Sequence, residues 1–165
     1  FSVHMANRPV DEAVVIKAAF DLIASVPYKA APGMNPATFV TYDPDGFPSA
    51  RVLVPRHISK DLTEITLNTR MDTNKFLEIQ GNPKSALCYH DQRGKQGWLT
   101  LKGTAHSHAF GRPITDEYVD VHFRVEKLEI MTYNDGGALK IDRARPVVLV
   151  RRGDTPGGPK WVLRR

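Results

Sequence analysis

Ala37-Thr38-Phe39-Val40-Thr41-Tyr42-Asp43-Pro44-Asp45-Gly46-Phe47-Pro48-Ser49-Ala50-Arg51-Val52-Leu53-Val54 is the stretch on which the fold turns. Its first six residues are mostly β-branched or aromatic, the composition of a strand. Asp43-Pro44-Asp45-Gly46 then places Pro and Gly where a tight turn wants them. Phe47 to Val54 resumes the strand, so the two runs predict a β-hairpin. Within the second run, Arg51, Leu53 and Pro55 share one face and Val52 and Val54 the other. An arginine inside an apolar strand is costly unless its charge is compensated. Two readings stand: an edge-strand arginine facing water, or an arginine aimed at an anionic group in a cleft.

Working outward, Glu64 to Thr69 predicts another short strand, with Ile65 and Leu67 alternating. Thr73 to Gln80 predicts a short helix closed by Gly81-Asn82-Pro83. The junction Asn68-Thr69-Arg70-Met71-Asp72-Thr73-Asn74-Lys75 gathers hydroxyls, free backbone N–H groups and a cation at one helix start. Such a place suits a phosphate, because a helix N-terminus supplies both donors and positive potential. A plain N-cap by Asp72 or Thr73, with Lys75 in water, explains the same residues. Ser85 to His90 and Gly97 to Ala105 predict a second hairpin around Asp91-Gln92-Arg93-Gly94.

Toward the N-terminus, Val15, Ala19, Leu22, Ile23 and Val26 recur at helical spacing, predicting a helix from Pro9 to Val26 that Pro27 stops. Asp11 and Glu12 complement the positive end of its dipole. Toward the C-terminus, Thr115 to Arg124 is expected to be helical, with Asp116 and Glu117 in its first turn. Leu128 to Tyr133, Pro146 to Arg151 and Lys160 to Leu163 are expected to be strands, the last two flanking the turn-rich 153–158 segment. Seven or eight strands, three helices and hairpin connections predict a mainly β domain: one antiparallel sheet closed, or nearly closed, into a barrel. There is no βαβ alternation and no glycine fingerprint after a strand, which argues against a dinucleotide fold.

The 165 residues suit a single domain over 1–165. Residues 1–5 read as a cloning remnant ahead of a native Met5. No apolar run approaches the ~20 residues of a membrane helix, so no membrane partner is expected. Cys88 is the only cysteine, which excludes an intrachain disulfide and makes the cytoplasm the default compartment. It is expected to be a small core residue. The net charge of +5 is concentrated in the tail, where Lys140 to Arg165 holds eight basic and two acidic residues. Trp161 is the only aromatic there, so the tail lacks the interleaved pattern of a nucleic-acid surface and no nucleic acid is expected. Trp161 reads instead as a packing residue that closes the barrel. His106-Ser107-His108 places two imidazoles on one strand face, but no third ligand stands at suitable spacing, and no metal is expected. His57, His90 and His122 read as surface or interface residues.

Taken in order, these segments resemble the FMN-binding split β-barrel superfamily of pyridoxamine 5′-phosphate oxidase-like proteins. The shared elements are Gly46-Phe47-Pro48, Arg51-Val52-Leu53-Val54, Thr69, Asn74-Lys75, Asn82-Pro83 and Trp98-Leu99-Thr100-Leu101-Lys102-Gly103. The tail pieces Asp142-Arg143, Arg151-Arg152, Trp161 and Leu163-Arg164 look like the closing strand pair. The resemblance covers Ala37 to Arg165. It implies a homodimer with FMN at the interface. It also implies that Arg51 and Lys75, beside Asn74, hold the FMN phosphate, with Thr69 adding a hydroxyl. Val52, Leu53 and Val54 would lie along the isoalloxazine ring, and Trp98 would contact ring or ribityl chain, from the partner subunit if not its own.

The true oxidases carry an Arg-x-His just before the Asp-Arg and a Gln close to where Trp98 falls. Here Leu139 and Ile141 occupy the former positions. The resemblance is therefore nearer the general stress protein branch, and pyridoxamine phosphate oxidation is not expected. The expectation is an FMN-dependent oxidoreductase acting on an undefined small molecule. The alternatives are a non-catalytic flavin-binding or stress-response protein, or the same barrel holding a deazaflavin or haem.

Overall fold

Phe39 and Arg51 stand opposite each other in the hairpin of β1 (Ala37–Tyr42) and β2 (Pro48–Leu53). The turn forms as its residues require: Asp43 Oδ1 accepts from the N–H groups of Asp45 (3.0 Å) and Phe47 (2.8 Å). Gly46 takes a φ of +86°, open to glycine at no steric cost. The computed structural model describes residues 11–25, 35–90, 97–132, 145–153, 156–157 and 160–164.

The remaining elements are α1 (Glu12–Ser25), β3 (His57–Ile58), β4 (Glu64–Arg70), α2 (Asn74–Gly81), β5 (Lys84–His90), β6 (Gly97–His106), β7 (Tyr118–Thr132), β8 (Val147–Arg151) and β9 (Trp161–Arg164). Pairing runs β2-β1-β5-β6-β7-β4-β3, all antiparallel, with β8 on β7 and β9 on β8. β2 and β3 are the two ends of this seven-strand path, yet only residues 54–56 separate them. Laid flat, the outer strands would stand about 29 Å apart at the usual spacing. The four Cα steps from Leu53 to His57 reach at most about 14 Å. The sheet therefore curls until its ends meet, while β2 and β3 stay unpaired with each other. The hairpin pattern predicted this nearly closed antiparallel barrel, and the resemblance implied its split form.

The split is made by β7. Its first half pairs β4 through residues 118–124, and its second half pairs β8 through 127–130. β6 runs along its other edge, with a register shift at Lys102/Gly103 that leaves Glu126 as an extra residue. Burial changes parity there: Val121, Phe123 and Val125 are buried before the bulge, Leu128 and Ile130 after it. A Cβ on Gly103 would lie 1.9 Å from the carbonyl oxygen of Arg124, so the two backbones touch at this point.

The structure corrects the expected helix at Thr115–Arg124, since Tyr118–Arg124 is the first half of β7. Val119, Val121, Phe123 and Val125 alternate with polar residues, which is strand periodicity. The Asp116-Glu117 pair imitates a helix start. Among the described residues there are thus two helices and nine strands, β3 being the strand not foreseen.

One cross-strand row, Phe39, Leu87, Leu101, Leu128 and Leu149, runs through the core with each residue no more than 1% exposed. Fully burying each such side chain contributes about 1.5–3 kcal/mol. α1 adds Val15, Ala19, Leu22 and Ile23 to the core from one face. Asp11 caps it, accepting from the Val14 N–H at 2.8 Å. The expected helix ends at Pro9, Val26 and Pro27 lie outside the described residues. So do Asp91–Gly94, Tyr133 and Leu139 to Arg143.

Trp161 closes the barrel as expected: it is buried, and its Nε1 donates to the Asp61 carbonyl at 2.7 Å. Cys88 is not in the core. It stands between buried Leu87 and Tyr89 and so faces outward, half-buried, near the Thr100 hydroxyl. No helix among the described residues is long and apolar enough to cross a membrane.

Candidate functional site

Where β2, β1 and α2 meet, the row that is Leu and Phe through the core ends in Arg51. Its side chain is three-quarters buried and its guanidinium is held from several sides. Nη2 donates to Glu78 Oε2 at 2.8 Å, and Nη1 donates to Thr41 Oγ1 at 2.5 Å and to the Phe39 carbonyl at 3.4 Å. The Thr41 hydroxyl in turn donates to Glu78 Oε2. The reading of Arg51 as a water-facing edge residue is therefore excluded.

Lys75, one residue into α2, is half-buried. Burial first, and the Arg51 charge second, pull its pKa below the ordinary lysine value of 10.5. No carboxylate among the described residues compensates it. The backbone start of α2 is open as well. Thr73 occupies the N-cap position with extended φ and ψ, but its side chain makes no cap bond. Its hydroxyl donates to the Arg70 carbonyl at 2.8 Å instead. Asp72 is turned away into an ion pair with Arg70. No acid stands in the first turn of the helix. The plain N-cap explanation thus fails on both of its candidate residues, and the first N–H groups of α2 point out beside a desolvated cation. Thr69, 5% exposed at the end of β4, adds a hydroxyl 3.2 Å from that of Thr73.

Four of the expected residues, Arg51, Thr69, Asn74 and Lys75, are thus contributed by β2, the end of β4 and the start of α2. Asn74 opens onto a cleft of about 990 Å³ between α2 and the β1–β2 turn, lined also by Tyr42, Ser49, Leu77 and Glu78. Leu53 shares the Arg51 face of β2 and is half-buried, as is Val54 just beyond the strand. Val52 points the other way and is 71% exposed. Among the described residues β2 pairs with β1 alone, which leaves the peptide groups on its outer edge along Arg51 to Leu53 without a strand partner there. Trp98 is not brought to this corner. It lies on β6 opposite His90, on the outer face of the sheet, whereas Arg51 points inward.

Glu78 is the site residue that the sequence reading missed. Only its spacing on α2, three residues after Lys75, marks it as sharing that helix face. The histidines also come together more than their spacing suggested. His122 stands directly across from His106, and its ring is 6.4 Å from that of His108. Among the described residues, no three His, Cys, Asp or Glu side chains are placed to hold a metal ion.

Chemically, the corner offers partners suited to a small dianion: the remaining Arg51 donors, the Lys75 ammonium close enough to feel the Arg51 charge, and the uncapped start of α2. The pyridoxamine 5′-phosphate oxidase family profile matches residues 29–144. A pyridoxine/pyridoxamine 5′-phosphate oxidase of Cupriavidus necator is 29% identical over 97 residues, 59% of this chain and 42% of that enzyme. The match thus spans less than half of that relative's length.

A pyridoxamine 5′-phosphate oxidase-related, FMN-binding protein of Nostoc punctiforme shares the fold, with a TM-score of 0.63 at 12% identity over 96% of this chain and 98% of its own. So does a haem-binding protein of Mycobacterium smegmatis, with a TM-score of 0.52 at 14% identity over 75% of this chain and 55% of its own. Structural likeness at these identities shows the fold alone. The split barrel and the profile match over most of its length agree: the chain belongs to the pyridoxamine 5′-phosphate oxidase family.

Proposed function

We propose that the protein binds FMN through the Arg51–Lys75 corner and works as a flavin-dependent oxidoreductase on a small molecule. The observation that carries this reading is Lys75: a half-buried lysine in no ion pair among the described residues, at a helix start whose N-cap side chain makes no cap bond. A desolvated, uncompensated cation is costly in a free protein, and a bound phosphate repays that cost. Arg51 would grip phosphate oxygens with the donors that Thr41 and Glu78 leave free, and Thr69 would add its hydroxyl. The free outer edge of β2 would offer peptide groups to the ring edge. Bound FMN supplies the redox chemistry, transfer of a hydride or an electron pair. The chain's part is to grip the phosphate, orient the ring and shape the cavity.

The functional unit in this reading is a homodimer. β2 and the turn before it expose Val52 (71%) and Phe47 (68%) on an open sheet edge. Such apolar exposure favours burial against a second copy. The test is titration of the apoprotein with FMN, followed by quenching of flavin fluorescence. Binding in the parent and its loss in the Arg51→Ala, Lys75→Ala double variant support the reading. A parent that binds no FMN overturns it, and haem and a deazaflavin are then titrated in its place. Oxidation of NADPH by the holoprotein no faster than by free FMN favours the runner-up, a flavin carrier without turnover.

A further inference from the structure

We infer that Glu78 is a specificity residue: it holds Arg51 in place and cancels its charge, so that the site is charged for one phosphoryl group and not two. The inference rests on the phosphate-site reading above and extends it.

The geometry has two parts. Glu78, Thr41 and Arg51 form a closed ring of hydrogen bonds, in which Thr41 Oγ1 accepts from Arg51 and donates to the same carboxylate oxygen that Arg51 Nη2 reaches. Thr41 is completely buried and the Glu78 side chain is 7% exposed, so water does not weaken the ring. Arg51 is thereby pre-oriented, with part of its donor set still free to meet an anion.

The second part is charge. An arginine and a lysine side by side read from the sequence as two positive charges. With Glu78 against Arg51 the side chains sum to one, and the open start of α2 adds about half a charge more. A phosphate monoester carries about −1.5 to −2 at neutral pH. One such group balances the corner. A second phosphoryl group would bring negative charge beyond what the corner balances, close to the Glu78 carboxylate, and like charges placed together at a binding site are strongly disfavoured. Glu78 also lines the cleft between α2 and the β1–β2 turn, beside Asn74. The ligand class that fits is a phosphate monoester, with diphosphates excluded by charge.

The test is displacement of FMN from the holoprotein by inorganic phosphate and by pyrophosphate, with flavin fluorescence as the readout. In Glu78→Gln the amide still accepts from Arg51 and Thr41, but the negative charge is gone. The expected result is a shift in the pyrophosphate-to-phosphate preference toward pyrophosphate by about tenfold. Glu78→Ala removes the anchor as well and is expected to weaken FMN binding by about tenfold or more. If the Glu78 variants do not fold, the parent itself serves: phosphate should displace FMN at concentrations about tenfold lower than pyrophosphate does, and a parent that prefers pyrophosphate overturns the inference. A parent that binds FMN while Glu78→Gln leaves the preference within threefold overturns this inference alone. A parent that binds no FMN overturns it together with the proposed function.

Discussion

Trp98 and Arg51 project from opposite faces of one sheet, Trp98 outward from β6 and Arg51 inward from β2. No rotation of either side chain brings both to one ligand within a single barrel. A contact between Trp98 and a cofactor held by Arg51 therefore requires a second copy of the chain. The expected outcome is a particle of two chains by light scattering. Trp98→Ala should weaken FMN binding by about tenfold, the value of one stacked aromatic. Doping this variant with Arg51→Ala chains tests the geometry further. Each mixed dimer should then keep one intact site, because the two lesions fall on the same site. A monomer that binds FMN with parental affinity would refute the arrangement.

Lys75 sets stability against binding. Its pKa is lowered, chiefly by burial and then by Arg51, so the folded protein releases its proton more readily than the unfolded chain. Protonated Lys75 thus opposes folding at neutral pH, and the opposition fades as pH rises through the lowered pKa toward 10.5. Lys75→Met should leave the apoprotein's melting temperature unchanged or slightly higher. The same change should cost about tenfold or more in FMN affinity. A variant that melts well below the parent would show that Lys75 stabilises the fold and not the ligand.

Gly103 marks the bulge at which β7 passes from β4 to β8. A methyl group there would stand 1.9 Å from the Arg124 carbonyl oxygen, a contact with backbone that no rotamer change relieves. Gly103→Ala should destabilise by about 3 kcal/mol, the upper range for overpacking, read as a fall in the denaturation midpoint. A shift under about 0.5 kcal/mol would mean that the strand relaxes freely at this point.

The same place explains where sequence reading stopped. The hairpins were legible because each turn carries its own chemistry, as Asp43 to Gly46 does. β7 has no turn at its bulge, and the parity change between Val125 and Leu128 broke one long strand into two unlike patterns. Arg51, Thr69, Asn74 and Lys75 were legible as a set only through resemblance, since each alone fits a solvated surface. For Glu78 the spacing from Lys75 gave a helix face but no role. Its role depends on α2 packing across β1, a contact between residues 37 apart, Thr41 and Glu78, that no local pattern encodes.

Asp61 ties the barrel's last strand to the β3–β4 turn. Burial raises its pKa, but hydrogen bonds from Lys160, Thr63 and Ser59 outweigh this and hold it well below the ordinary value of 3.8. Trp161 binds the carbonyl of the same residue, and the next residue, Leu62, is buried with a φ of +59°. A carboxylate with a lowered folded pKa contributes stability that is full above the unfolded value and is lost as pH falls below it. Since about a third of the side chain is exposed, solvent screening keeps the contribution to about 1 kcal/mol. Asp61→Asn should therefore be less stable than the parent by about that amount near neutral pH in urea denaturation. The gap should close as pH falls from about 4 toward 2, because protonation then removes from the parent what the substitution removed from the variant. A gap that stays constant through this range would show that the asparagine differs in packing and not in charge.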